Sequence, residues 1–135
     1  MGMSLTFVID KVQGKARPRF TRTGHTYTDP KTRDYERQIA QAARKALGAG
    51  EMLLTPVCVV LDIHQAIPKS YSKKRIAELP DRPMKKPDID NVFKAVADGI
   101  VGVLIKDDTQ IVRMAANKRW GAADMVEVFV WEMLD

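Results

Sequence analysis

The order of apolar and polar positions divides the chain into stretches of two different periods. Residues 4–12, Ser-Leu-Thr-Phe-Val-Ile-Asp-Lys-Val, are rich in β-branched and aromatic side chains and predict a first strand. Residues 13–28 are polar and basic and are broken by Gly14, Pro18 and Gly24, which predicts a long loop or irregular hairpin. Asp29-Pro30 then supplies an N-cap followed by proline at the first helical position. Tyr35, Ile39, Ala42, Ala43, Ala46 and Leu47 follow at helical spacing, with Gly48 and Gly50 as the stop. Pro56 precedes a strand over 57–64 that ends by Pro68, and residues 70–79 predict a short basic helix. The clearest helix covers 88–104, where Ile89, Val92, Phe93, Val96, Ala97, Ile100, Val101 and Leu104 keep the i, i+3, i+4, i+7 pattern. Gly99 and Gly102 weaken its second half. After a turn at Lys106-Asp107-Asp108, residues 111–119 and 125–133 predict two strands closing a hairpin around Gly121. Strands separated by helices imply an α/β (α+β) fold, a small mixed β-sheet with helices packed on it, as a single domain over 1–135.

Composition narrows the class. With 135 residues, 45% hydrophobic and 29% charged, the chain has enough apolar material for one modest core and too much for wholesale disorder. One cysteine, Cys58, excludes an intrachain disulfide framework, and with only His25 and His64 beside it a closed zinc site has too few ligands. The longest apolar runs, 57–61 and 99–105, are far too short to cross a bilayer. No basic-then-apolar leader opens the sequence, so the expected location is cytoplasmic and no membrane partner is expected.

Net charge is +5, from 22 Lys+Arg against 17 Asp+Glu, and its distribution says more than its size. Residues 11–45 carry ten basic side chains against three acidic, residues 69–95 eight against four, and residues 96–135 four against seven. Basic surface and acidic cluster are therefore separated along the chain, and the mild surplus suggests a polyanionic partner without establishing one.

The acidic part centres on Lys86-Pro87-Asp88-Ile89-Asp90-Asn91-Val92-Phe93-Lys94. Asp88 is well placed as an N-cap, and Asp90 in the first turn complements the helix dipole. Asp90, Lys94 and Asp98 are spaced i, i+4, i+8, which stacks them on the side opposite the apolar stripe. An ion-pair ladder accounts for that spacing, and turn chemistry accounts for Asp107-Asp108. The same groups would also suit a hard divalent cation, which takes oxygen ligands, activates water and stabilises charge on a phosphodiester oxygen. A helix of about 20 Å lies between the two acidic groups, so their meeting requires the chain to run back or a second subunit to contribute.

The block Asp88-x-Asp90-Asn91-x-x-Lys94-x-x-x-Asp98, followed by Lys106-Asp107-Asp108-Thr109-Gln110, resembles the RusA family of Holliday junction resolvases. Gly14-Lys15-Ala16-Arg17-Pro18-Arg19-Phe20 and Tyr27-Thr28 are similar to a further segment of that family, so the resemblance covers most of the chain. It implies a RusA-like domain forming an intimate homodimer that binds four-way DNA junctions. It further implies paired symmetric nicks, in recombination and repair, with Mg2+ (or Mn2+) and no small-molecule cofactor. Carried over by position, Asp88, Asp90 and Asp108 bind metal, Lys94 is the essential lysine, and Asn91 and Asp107 match positions without an assigned role. Gly99 departs from the better helix former expected after Asp98.

Beside such a motif the basic segments become candidate DNA contacts. Arg17, Arg19 and Arg22, with Lys31 and Arg33, are interleaved with Phe20, Tyr27 and Tyr35 as possible stacking groups. Lys69, Lys73, Lys74, Arg75, Lys85 and Lys86 form a second candidate patch, with a solvated helix face as its ordinary explanation. Two other functions fit the same residues, a non-catalytic junction-binding or architectural protein and a metal-dependent enzyme for small phosphate esters.

Overall fold

The computed structural model describes residues 2–16 and 19–134, the side chain of Arg19 excepted. In chain order the elements are β1 (Ser4–Ile9), β2 (Arg19–Phe20), β3 (Thr26–Tyr27), α1 (Pro30–Leu47), β4 (Val57–Ala66), α2 (Lys73–Ala77), α3 (Ile89–Ile100), a 3-10 turn (Asp108–Gln110), β5 (Ile111–Gly121) and β6 (Met125–Glu132). Four strands form one mixed sheet in the order β1-β6-β4-β5, and β2 and β3 form a separate two-stranded ribbon in the basic loop.

Alternation along the central strand sets the core. Val57, Val59, Leu61 and Ile63 of β4 are fully buried, and register places Val130, Val128 and Val126 of β6 beside the last three. Phe7 and Ile9 of β1 continue the row. Tyr35, Ile39 and Ala43 of α1 and Val92, Val96 and Ile100 of α3 complete one hydrophobic cluster on that face. The other face carries Asp62, His64, Glu127 and Arg119, with His64 Nε2 2.7 Å from Glu127 Oε1 and an Arg119–Asp62 pair at 3.3 Å.

Two expectations change. Residues 111–121 and 125–132 do not form a hairpin, because β4 lies between them, parallel to β5 and antiparallel to β6. The link between them instead passes the end of β4, where the Ala66 N–H donates to Asp124 Oδ1 at 2.7 Å. A β-carbon on Gly121 would come within 2.9 Å of His64 Cβ, so the turn is closed against β4. Helix α3 also stops at Ile100 rather than 104, with Val101 extended and Gly102 at φ 86°. Val103, Leu104 and Ile105 remain buried in the turn that follows, so their spacing recorded burial rather than helix. Gly99 is explained by the helix–helix contact, since a β-carbon there would lie 2.6 Å from Ile39 Cγ2. Glycine at this point lets α1 and α3 approach closely.

Candidate active site

The acidic residues are displayed by the first turns of α3 and by the 3-10 turn before β5. Asp88 occupies the N-cap of α3 in extended backbone, yet its side chain makes no capping hydrogen bond. It is exposed, and so is Asp90 two residues on. The approach to Asp88 is fixed from the sheet instead. Lys118 Nζ donates to the carbonyls of Lys85 (2.5 Å) and Pro87 (3.0 Å), and Gln65 Nε2 donates to the carbonyl between them, that of Lys86, at 3.1 Å. Three successive carbonyls are thus held by side chains of β4 and β5. Burial pulls the Lys118 ammonium below its ordinary pKa, while the nearby Asp88 charge works the other way.

Asp107 and Asp108 are held by Gln110. Its Oε1 accepts the N–H groups of Lys106 (2.7 Å) and Asp107 (3.0 Å), and its Nε2 donates to the carbonyls of Leu53 (2.9 Å) and Thr55 (3.0 Å). Asp107 caps the turn, with Oδ1 accepting from the Thr109 N–H at 3.1 Å. This division of labour explains the Lys-Asp-Asp-x-Gln spacing: one aspartate shapes the turn, the glutamine anchors it, and Asp108 is left outward. The backbone N–H of Thr109 holds the Asp107 carboxyl below the usual range. Asp108 is raised, first by its hydrogen bond with Asp107, then by partial desolvation and the charges of Asp107 and Asp98, with Lys94 opposing.

Because α3 is short and the chain folds back, the separation along the sequence closes within one subunit. Asp90, Lys94, Asp98 and Asp108 line a single open cleft of about 320 Å³, together with Phe93, Ala97, Ile111 and Met114. Among the described residues the Lys94 ammonium makes no ion pair, whereas Asp98 is engaged by Lys15 at 2.8 Å. Asp88 does not line that cleft; it lines a separate groove of about 850 Å³ with Arg82, Lys85, Lys86, Asn117 and Lys118.

The remaining candidates are distributed as follows. Arg17 lies outside the described residues, as does the side chain of Arg19. Arg22 is exposed in the turn of the β2–β3 ribbon, which also exposes Phe20 and Tyr27. Lys73 and Lys74 are exposed on α2, and Lys85 Nζ stands 5.8 Å from the centre of the Trp120 ring. Tyr35 is no stacking group: it is 1% exposed, its hydroxyl donates to the Lys11 carbonyl at 2.6 Å, and burial pushes its pKa up to about 12. Sequence reasoning missed Lys118, Gln65 and Lys15, none of which belongs to a local motif with the acids it serves. Gln110 did stand within the motif, and its spacing was the available signal.

Among the described residues no three Asp, Glu, His or Cys side chains form a ready-made metal cage. The donor chemistry nevertheless suits a hard cation. Mg2+ keeps several waters and takes one or two carboxylates plus substrate phosphate oxygens, so Asp90 and Asp108 in the cleft fit that demand. Among the described residues no helix is long and apolar enough to cross a membrane.

Residues 11–131 match the family described as Endodeoxyribonuclease RusA. A relative from Bacillus subtilis (strain 168), the uncharacterized protein YqaN, is 31% identical over 126 residues, covering 88% of this chain and 89% of its own. The match runs from the basic segment through both acidic groups to β6, and on that extent the chain belongs to the RusA family of endodeoxyribonucleases, the Holliday junction resolvases.

Proposed function

We propose that this endonuclease cuts four-way DNA junctions by paired symmetric nicks, as a homodimer, with Mg2+ (or Mn2+) held by Asp88, Asp90 and Asp108. Nucleases of the family generally depend on a divalent metal and act on branched DNA. The observation that carries the reading is the cleft that Asp90 and Asp108 line with Lys94, which makes no ion pair among the described residues. When bound, a divalent cation would offset the negative charge developing on the phosphodiester and lower the pKa of water. Lys94 is free to meet a non-bridging phosphate oxygen, where its charge counts most as the transition state forms. Arg82, Lys85 and Lys86, lining the groove beside Asp88, supply positive charge along the approach of a phosphate backbone, with Arg17, Arg19, Arg22, Lys73 and Lys74 as further contacts. A junction has two equivalent strands to cut, and a two-fold dimer presents two equivalent clefts.

The test is nicking of a synthetic four-way junction beside matched linear duplex, with and without Mg2+. Asp90→Asn should lower the rate by about a thousandfold or more while leaving junction binding intact. Equal cleavage of both DNAs would remove junction selectivity, and wild-type cleavage by the variant would remove the site. A monomer by sedimentation in the presence of junction would remove the dimer.

A further inference from the structure

Lys15 stands outside the acidic motif, in the basic segment that precedes β2, yet it pairs with an acid of the cleft. Its Nζ lies 2.5 Å from Glu36 Oε1 of α1 and 2.8 Å from Asp98 Oδ2 of α3. Its backbone N–H donates to the Asn91 carbonyl at 3.0 Å. The residue before it is packed tightly on the same helix: a β-carbon on Gly14 would sit 3.1 Å from both Asn91 Cβ and Pro87 Cβ. Burial of the Lys15 ammonium works against its charge, but the bonds to Asp98 and Glu36 outweigh it and raise its pKa, so it is a cation at neutral pH.

Asp98 is the group through which this matters. It lines the cleft with Asp90, Lys94 and Asp108, and its charge is felt at Asp108. It also stands four residues after Lys94, the spacing at which a helix brings opposite charges together. Free to move, Asp98 would pair with Lys94 and draw that ammonium from the phosphate. We propose that Lys15 is a positioning residue of the active site: by holding Asp98 against α1 it fixes the acidic wall of the cleft and leaves Lys94 unpaired. Because residues 14–20 also carry the basic side chains expected to meet DNA, the same lysine ties the DNA-facing segment to the catalytic helix. This inference rests on the cleft being the nuclease site.

Single-turnover cleavage and junction affinity, measured separately, test it. Lys15→Met should slow cleavage about tenfold to a hundredfold, as small displacements in a reacting site do, while the junction Kd moves less than about threefold, the size of one screened phosphate contact. Lys15→Arg, which keeps the charge and can span the same two carboxylates, should restore most of the rate. In an Asp98→Asn background the Lys15→Met change should cost less than about twofold, because residues that act as a unit are not additive. Equal fold-losses in both backgrounds, or a loss confined to Kd, would overturn the proposal. Should Asp98→Asn leave too little cleavage to measure, or Lys15→Met fail to fold, Lys15→Arg decides: a rate as low as that of Asp90→Asn overturns it. If the wild-type protein spares four-way junctions but cuts another DNA, the junction assignment fails while the Lys15 experiments proceed on that substrate. Urea unfolding of the wild type, Lys15→Met, Asp98→Asn and the double variant reads the Lys15–Asp98 coupling without any cleavage, and strictly additive losses would overturn the proposal.

Discussion

Helices α1 and α3 each start from an aspartate in extended backbone, Asp29 at φ −55°, ψ 134° and Asp88 at φ −65°, ψ 145°, and each has a proline next to it. At α1 the carboxylate turns inward: Asp29 is 7% exposed and its Oδ1 accepts the Lys31 N–H at 2.8 Å. At α3 the carboxylate turns outward and caps nothing. A satisfied cap contributes about 1 kcal/mol, so α3 forgoes that stabilisation. Its start is ordered instead by Lys118 and Gln65, which hold the carbonyls of residues 85 to 87. The difference teaches how a fold frees a carboxylate: the structural work of the cap is moved to neighbours, and the acid is left exposed.

The sharpest way to break this comparison is Asp88→Asn. Asparagine caps as well as aspartate, so unfolding free energy should stay within about 0.5 kcal/mol of wild type. Nicking should fall by about a thousandfold or more if Asp88 holds the cation as proposed. Intact nicking would remove Asp88 from the proposed site. Next in size is Lys118→Met, which frees the Lys85 and Pro87 carbonyls from their donor. Cleavage should drop about tenfold to a hundredfold through a misplaced Asp88, and urea unfolding should show a loss of about 1 to 2 kcal/mol for the charged donor. A stability loss with unchanged cleavage would confine Lys118 to the fold.

How much of this could be read from the sequence follows from which interactions are local. The strands of the sheet, the helix at Asp29-Pro30 and the stacking of Asp90, Lys94 and Asp98 depend on spacing within one segment, and all were legible. The position of β4 between β5 and β6 was not, because adjacent strands in sequence suggest a hairpin and nothing in 111–133 records a partner from residue 57. Tyr35 looked like a stacking group among basic residues, but its helical spacing with Ile39 and Ala43 already put it on the core face. Gly99 looked like a defect until Ile39 was seen against it. The meeting of Asp108 with the α3 acids depended on where the helix stopped, which Gly102 hinted at without deciding.

Gly99→Ala probes the close contact between α1 and α3. Relief of a 2.6 Å approach to Ile39 requires α1 and α3 to separate or a rotamer to change, a cost of about 1 to 3 kcal/mol that outweighs alanine's better helix propensity. The melting temperature should fall, and a rise would mean that the helices are not closely packed there. The smallest effect belongs to Asp29→Ala, and it completes the comparison. Loss of the bond to Lys31 should cost about 1 kcal/mol, visible as a lower urea midpoint with an unchanged slope. Nicking measured well below the unfolding transition should match wild type, because the cap bond of Asp29 lies at the start of α1. Set beside Asp88→Asn, this gives opposite outcomes from aspartates in nearly the same backbone conformation, one moving stability and the other cleavage. If Asp29→Ala also slowed cleavage several-fold while folded, the start of α1 would have to be counted with the active site, through Lys31 or through Glu36 and its tie to Lys15.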